Sequence, residues 1–186
     1  MVDNLNVSQD SHINHAIEVA KQIENSGKIQ NRKEIAPGIY FSIDTEANID
    51  GEFTSGNGKI IDLKYFNVSE PVHGKNITPR WIAIHFRLGE VTLNNKSAIG
   101  VIVKSEAPNA VTMRACLRSG TQENFQDEFF SKYIVAYQNT STHLDIIKIE
   151  DLPEECPLKK IERDLILFLP PFDASLTITD LRAFII

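Results

Sequence analysis

The chain has 186 residues, 42% apolar and 24% charged, with 25 acidic against 19 basic residues and a formal net charge of −6. A chain of this length buries roughly two thirds of its unfolded surface, enough to fold without disulfides or a structural metal. The acidic balance argues against a broad nucleic-acid or anionic-membrane surface, while leaving room for a local basic patch. The longest apolar run, Leu165–Leu169, is far short of the roughly 18 residues a membrane-spanning helix needs.

Residues 1–9 read as a lead-in with no basic stretch and no apolar run, so no Sec-type leader is expected and the cytoplasm is the expected location. From Asp10 to Ser26, Ile13, Ile17, Ala20 and Ile23 recur at three- and four-residue spacing, which predicts an amphipathic helix. Asp10 or Ser11 can cap its start, and Gly27 sits where a helix ends. His12 and His15 share that helix, but with no third ligand nearby in sequence they read as solvated side chains. This gives a division into a lead-in and helix (1–28) and a single β-sandwich domain (29–186).

After Pro37–Gly38 the apolar period changes from 3.6 to 2. Ile39, Phe41 and Ile43 alternate with polar positions, and so do Ile61, Leu63 and Tyr65. Asp50–Gly51 and Asn57–Gly58 read as hairpin turns. Trp81–Leu88 turns Ile82, Ile84, Phe86 and Leu88 to one side and Trp81, Ala83, His85 and Arg87 to the other. Further strands are expected at 98–105, 110–118, 129–137, 143–150, 163–169 and 175–186. In the last of these the apolar parity slips between Ile178 and Leu181, which predicts a β-bulge near Thr179–Asp180. About nine strands with short turns and one helix outside the pattern define a mainly β protein, an antiparallel β-sandwich of jelly-roll type. Cys116 and Cys156 lack the spacing of a zinc or redox motif and are expected to be unpaired thiols.

The stretch from Trp81 onward resembles the jelly rolls of the carbohydrate-binding-module and galactose-binding-like superfamily. The resemblance rests on the aromatic-led strand 81–88, the paired strands 98–105 and 110–118, and the closing run Leu165–Phe184. It implies a non-catalytic, glycan-binding β-sandwich, and it makes a structural calcium worth considering, with Asp180 as the C-terminal position to check. Asp44 and Glu46, in an acidic stretch with Asp50 and Glu52, are the other weak metal candidates. Their spacing is not that of an EF-hand loop, so no cofactor is assigned.

The candidate binding residues come from strand parity. Trp81, His85 and Arg87 share one side of their strand, and Arg114 and Arg118 share the equivalent side of strand 110–118, with Thr112 and Cys116 between them. Lys104 would join them if the middle strand lay alongside. An indole can stack on the apolar face of a sugar, while Arg and His donate to hydroxyls or a carboxylate. Basic groups gathered on an acidic protein favour an acidic glycan, with a role in bacterial glycan synthesis or attachment as the expected setting. The alternative is an assembly domain or homo-oligomer, docking another chain through this face or through the helix.

No enzyme is expected. The sequence has no nucleophile elbow, P-loop or dinucleotide fingerprint. His143-Leu144-Asp145 lacks a following histidine to complete an iron triad, and Glu106, Glu123, Asp127 and Glu128 are acidic residues without a pairing signature.

Overall fold

The computed structural model describes residues 11–121 and 123–186; the lead-in 1–9 and the Asp10 cap lie outside them. A 3-10 turn (Ser11–Asn14) runs into helix α1 (His15–Gln22). Ile13, Ile17 and Ala20 are buried, but Ile23 is 42% exposed. The helix therefore stops short of the expected Ser26. Ile23 is already extended, its carbonyl accepts from the Ser55 hydroxyl (3.2 Å), and the chain continues as strand β1 (Asn25–Lys28). Pairing of β1 with residues 52–55 takes the backbone groups that further helical turns would have used. His12 and His15 are both exposed.

Eleven further strands follow: β2 (Glu34–Ala36), β3 (Ile39–Ile43), β4 (Ile49–Gly56), β5 (Lys59–Asn67), β6 (Ile82–Val91) and β7 (Ala98–Glu106), then β8 (Val111–Gly120), β9 (Phe125–Ala136), β10 (Ser141–Lys148), β11 (Ile161–Leu169) and β12 (Ala174–Ile185). They form two six-stranded antiparallel sheets, in the orders β1-β4-β5-β12-β7-β10 and β2-β3-β6-β11-β8-β9. The expected sandwich is therefore observed, with one short N-terminal helix.

Two turn assignments from the sequence separate here. Asn57 and Gly58 both take positive φ (55° and 79°) and join β4 to β5, as a type I′ turn demands. Asp50–Gly51 is not a turn but lies within β4. A Cβ on Gly51 would come 2.6 Å from that of Tyr65, so glycine is there for a close cross-strand approach rather than for chain reversal.

The core lies between the sheets. Ile84, Phe86, Val101, Val103, Met113, Leu117 and Leu167, the inward-parity residues of four strands, are each at most 1% exposed. The predicted bulge in β12 is present between Ile178 and Asp180. It divides the strand's pairing, because residues 174–178 pair with β5, while β7 continues along the strand to Ile185. Beyond the bulge, β12 would lack a neighbour on its β5 side. Asn14 supplies one: its side-chain amide donates to the Ala183 carbonyl (2.9 Å) and its Oδ1 accepts from the Ala183 amide (2.8 Å). One carboxamide thus acts as a stand-in strand residue, and it anchors the helix over the gap.

At one end of the second sheet Arg163 is fully buried. Its guanidinium donates to the Val91 (3.2 Å) and Lys159 (3.3 Å) carbonyls, to the Pro157 carbonyl and to the Ser119 hydroxyl. Burial lowers its pKa from the usual arginine value. A charge held by neutral oxygens in this way fastens the 149–160 connection to the sheet end.

Two stability outcomes are expected. Phe86→Ala should cost about 3–5 kcal/mol in urea unfolding, as aromatic-to-alanine core truncations do; a loss near zero would contradict the inward orientation of that face. Asn14→Ala should cost about 1–3 kcal/mol, since it leaves a donor and an acceptor on Ala183 unpartnered. Asn14→Ser, which cannot span both groups, should recover little of that loss in the same assay.

Candidate functional site

The outer face of the second sheet carries the site. The register of its ladders sets side chains in cross-strand rows. One row reads Ser42, Ala83, Phe168, Arg114, Tyr133 across β3, β6, β11, β8 and β9. The next reads Tyr40, His85, Ile166, Cys116, Phe129, and a third brings Arg87, Asp164, Arg118 and Asp127 into line. Strands β6 and β8 are thus not neighbours; β11 runs between them. Lys104 lies on β7 in the opposite sheet and does not join this face.

The face has an apolar floor of its own. Ala83, Cys116 and Ile166 point away from the core yet are at most 1% exposed, covered in part by Phe168. Phe168 in turn packs on Phe129, with centroids 5.4 Å apart. Burial pushes the Cys116 thiol up to about 12, so it is a floor residue and not a nucleophile. Cys156 is likewise free and buried.

Above this floor lies a groove of about 600 Å³, lined among others by Arg32, Trp81, His85, Arg114, Arg118 and Phe125. That volume is within the range of small-molecule sites. Four of the five binding residues expected from the sequence therefore line one groove. Arg87 is on the same sheet but not among the lining residues; its guanidinium is half exposed and lies 3.8 Å from Glu34. A second depression of about 520 Å³, over Gly27, Phe53 and Leu63, is lined by no exposed aromatic ring.

Aromatic rings and guanidinium groups alternate along the groove walls. Arg118 lies 3.7 Å from the centroid of Phe125 and makes two hydrogen bonds to Asp127, at 2.7 and 2.6 Å. Arg114 lies between Phe129 (4.3 Å) and Tyr133 (5.3 Å). Among the described residues no carboxylate lies within 4 Å of Arg114, so its charge is held by π faces alone. On the opposite wall Arg80 lies over Trp81 at 5.0 Å.

Arg80 is itself clamped by Asp44, which is 1% exposed. The carboxylate accepts from Arg80 Nε (3.0 Å), Nη2 (3.2 Å) and backbone amide (2.8 Å), and from the Glu46 amide (3.3 Å). The hydrogen bonds from the Arg80 side chain and backbone hold the Asp44 carboxyl down at about 2. Asp44 therefore orients a groove wall. Asp180, the third weak metal candidate, sits apart from it and is bridged by Lys21 (2.5 Å) and Arg182 (3.4 Å). Asp50 and Glu52 lie on β4, with Asp50 bonded to Lys28 at 2.8 Å. Among the described residues no group of three or more His, Cys, Asp or Glu side chains is arranged to hold a metal ion.

Parity placed Trp81, His85, Arg114 and Arg118, but several lining residues come from elsewhere. Arg80 precedes the strand, Arg32 is in a loop, and Phe125 begins β9 ahead of the expected start at Phe129. Phe168 did carry a signal. The run Leu165–Leu169 is apolar on both parities, and a strand with that pattern is covered on both faces.

No family model and no curated protein matches the sequence. Several solved structures superpose on the chain. A CBM4 structure superposes with a TM-score of 0.53 over 86% of this chain and 95% of its own, at 8% identity. A family 11 carbohydrate-binding module from Clostridium thermocellum, in complex with a β-1,3-1,4-mixed-linked tetrasaccharide, gives 0.49 over 88% and 96%, at 8% identity. The CBM22-1 xylan-binding domain of Paenibacillus barcinonensis Xyn10C gives 0.47 over 88% and 92%, again at 8%. The chain thus has the β-sandwich fold of the CBM4 structure.

The Asp44 clamp has a pH signature. A carboxyl held below its ordinary value near 3.8 contributes stability that is complete above that value and lost as pH falls through about 2. Asp44→Asn should therefore melt below the wild type at pH 6–7. The difference should shrink below about pH 4 and close near pH 2, read by circular dichroism melts across that range. A difference that stays constant with pH would place its cause outside the Asp44 charge.

Proposed function

We propose that the groove on the β6–β11–β8–β9 face binds a saccharide chain without chemically altering it, and that the preferred ligand is an acidic glycan. The observation that carries this reading is the wall itself. Trp81, Phe125 and Phe129 line the groove as rings suited to pyranose stacking, and each has a guanidinium group lying over it. Arg80 and Arg118 are already paired with carboxylates, whereas Arg114 lies over two rings and has no carboxylate partner among the described residues. It is the group best suited to meet a uronate carboxylate. Among the described lining residues Asp127 is the one carboxylate, and Arg118 occupies both its oxygens. Those residues therefore include no second carboxylate for general acid–base work on a glycosidic bond. The shared fold with the CBM4 structure is consistent with this reading.

A second reading, an assembly domain, draws on the exposed Tyr137 (47%), Leu144 (51%) and Ile146 (43%) on and beside the edge strands β9 and β10. The helix is not free for such a role, because Ile13, Ile17 and Ala20 are buried against the chain's own sandwich. Light scattering at micromolar concentration separates the readings, since an assembly domain self-associates there.

On the glycan reading, Trp81→Ala should weaken both neutral and acidic oligosaccharides. Arg114→Ala should weaken trigalacturonate about 10- to 100-fold, the worth of one charge-assisted hydrogen bond, and leave xylotetraose little changed. Raising salt should weaken only the acidic ligand, because a partly exposed ion pair is screened. Calorimetric titration of the two sugars checks all three. Equal losses for both sugars in Arg114→Ala would remove the acidic preference, and no binding of either by the wild type would remove the glycan reading.

A further inference from the structure

The groove walls are rich in donors, since every guanidinium donates and none can accept. Asp127, whose two oxygens are taken by Arg118, and the Ser42 hydroxyl are lining acceptors; His85 can act either way, and its environment decides which. His85 is 3% exposed and its ring stacks on Tyr40 with centroids 4.6 Å apart and 16° between planes. Its Nδ1 lies 3.2 Å from Asp164 Oδ2 and 3.2 Å from the Tyr40 hydroxyl. The Tyr40 hydroxyl lies 3.1 Å from the same Asp164 oxygen.

For a neutral imidazole one proton arrangement satisfies all three contacts of this triangle. A carboxylate only accepts, so the single Tyr40 proton goes to Asp164 and leaves the phenol oxygen to accept. Both partners of Nδ1 then accept, and Nδ1 must carry a hydrogen. Burial, followed by the charge and hydrogen bond of Asp164, pushes the Tyr40 hydroxyl up to about 12, so the phenol keeps its proton throughout the neutral range. With Nδ1 protonated, the neutral imidazole has its lone pair on Nε2. Nε2 has no hydrogen-bond partner among the described residues, and His85 is part of the groove lining.

We propose that Tyr40 and Asp164 are positioning residues that fix His85 as a hydrogen-bond acceptor of the groove, so that the bound ligand must present a hydroxyl or amide donor there. This deepens the glycan reading and rests on it for the identity of the ligand. His85 and Arg114 are separated by β11, two strand spacings or roughly 10 Å at the backbone, with Arg114 one row away. The pair therefore reads two points on a ligand: a hydroxyl at one and an acid at the other. A uronic-acid oligosaccharide satisfies both on adjacent units. A polyanion without donors, such as a phosphate chain, satisfies only Arg114 and leaves the Nε2 lone pair facing an oxygen lone pair.

The test begins without ligand. In the uniformly ¹⁵N-labelled full chain, long-range ¹H–¹⁵N correlation at pH 8 should show His85 with a protonated, pyrrole-type Nδ1 and a bare, pyridine-type Nε2. This is the reverse of the tautomer that free histidine favours. A proton on Nε2 at that pH overturns the proposal. Tyr40→Phe removes one of the two acceptors without disturbing the stack and should raise the Nε2-protonated fraction; an unchanged tautomer assigns the control to Asp164 alone, which overturns the role given to Tyr40. For the ligand, His85→Phe keeps the ring stack and removes the acceptor. It should weaken trigalacturonate about 2- to 10-fold, the range of one neutral hydrogen bond, and leave tripolyphosphate unchanged. Equal loss of both probes overturns the donor requirement. If the wild type binds no saccharide while His85 shows the expected tautomer, the glycan reading falls and the acceptor assignment stands.

Discussion

Strand β11 runs between β6 and β8 with apolar side chains on both of its faces, and that placement joins the core to the site. Leu165, Leu167 and Leu169 turn into the sandwich while Ile166 and Phe168 turn out, and all but Phe168 are buried. A strand of this kind cannot present a wet outer face, so the neighbouring outward residues must cover it or be small. Cys116 beside Ile166 and Ala83 beside Phe168 are small; Phe129 reaches over from β9 to meet Phe168. The low floor and high walls of the groove follow from these sizes. At its other end the same strand supplies Asp164, so the polar triangle with Tyr40 and His85 depends on β11 as well.

The electrostatics of the chain follow from where charges are allowed to pair. A molecule with a net charge of −6 nevertheless gathers arginines around one groove. Three of them are held by specific neighbours: Arg80 by Asp44 and Trp81, Arg118 by Asp127 and Phe125, Arg114 by two rings. Pairing with a carboxylate orients an arginine but consumes most of its capacity to bind anything else. Stacking on aromatic faces orients it and leaves its donors free. The same side chain therefore serves as scaffold at two positions and, at the third, has no carboxylate partner among the described residues.

Much of this arrangement is legible in the residues themselves, and the illegible part has a consistent cause. Period-2 alternation determines which side of a strand a residue takes, and it places Ile84, Phe86, Met113 and Leu117 in the core and His85 and Arg114 outside it. The parity slip in β12 marks its bulge. Alternation carries no information about which strands are neighbours. The row Tyr40–His85–Ile166–Cys116–Phe129 draws on five separate stretches of chain, and only the sheet order brings them together. Ile23 fits the helical stripe in sequence but is exposed, because a hydrogen-bonded ladder with β4 competes for the same backbone. Asp50–Gly51 has the composition of a turn, yet a close neighbour at Tyr65 explains the glycine better.

The central position of β11 and β12 also bears on the order in which the molecule can be assembled. Each is flanked on both sides by strands that precede it in the chain. On a ribosome, β4 and β5 emerge as a hairpin with no partner toward β7, and β6 emerges without the strand that will join it to β8. Neither sheet can close until residues 161–185 are available, so the contacts that complete both layers span large separations along the chain. Such long-range closure slows folding and leaves unpaired strand borders exposed in the interval. Synthesis supplies the flanks of each layer first and its middle afterwards, and Asn14 then meets Ala183 across 169 positions of sequence, bringing the first helix into contact with the final strand.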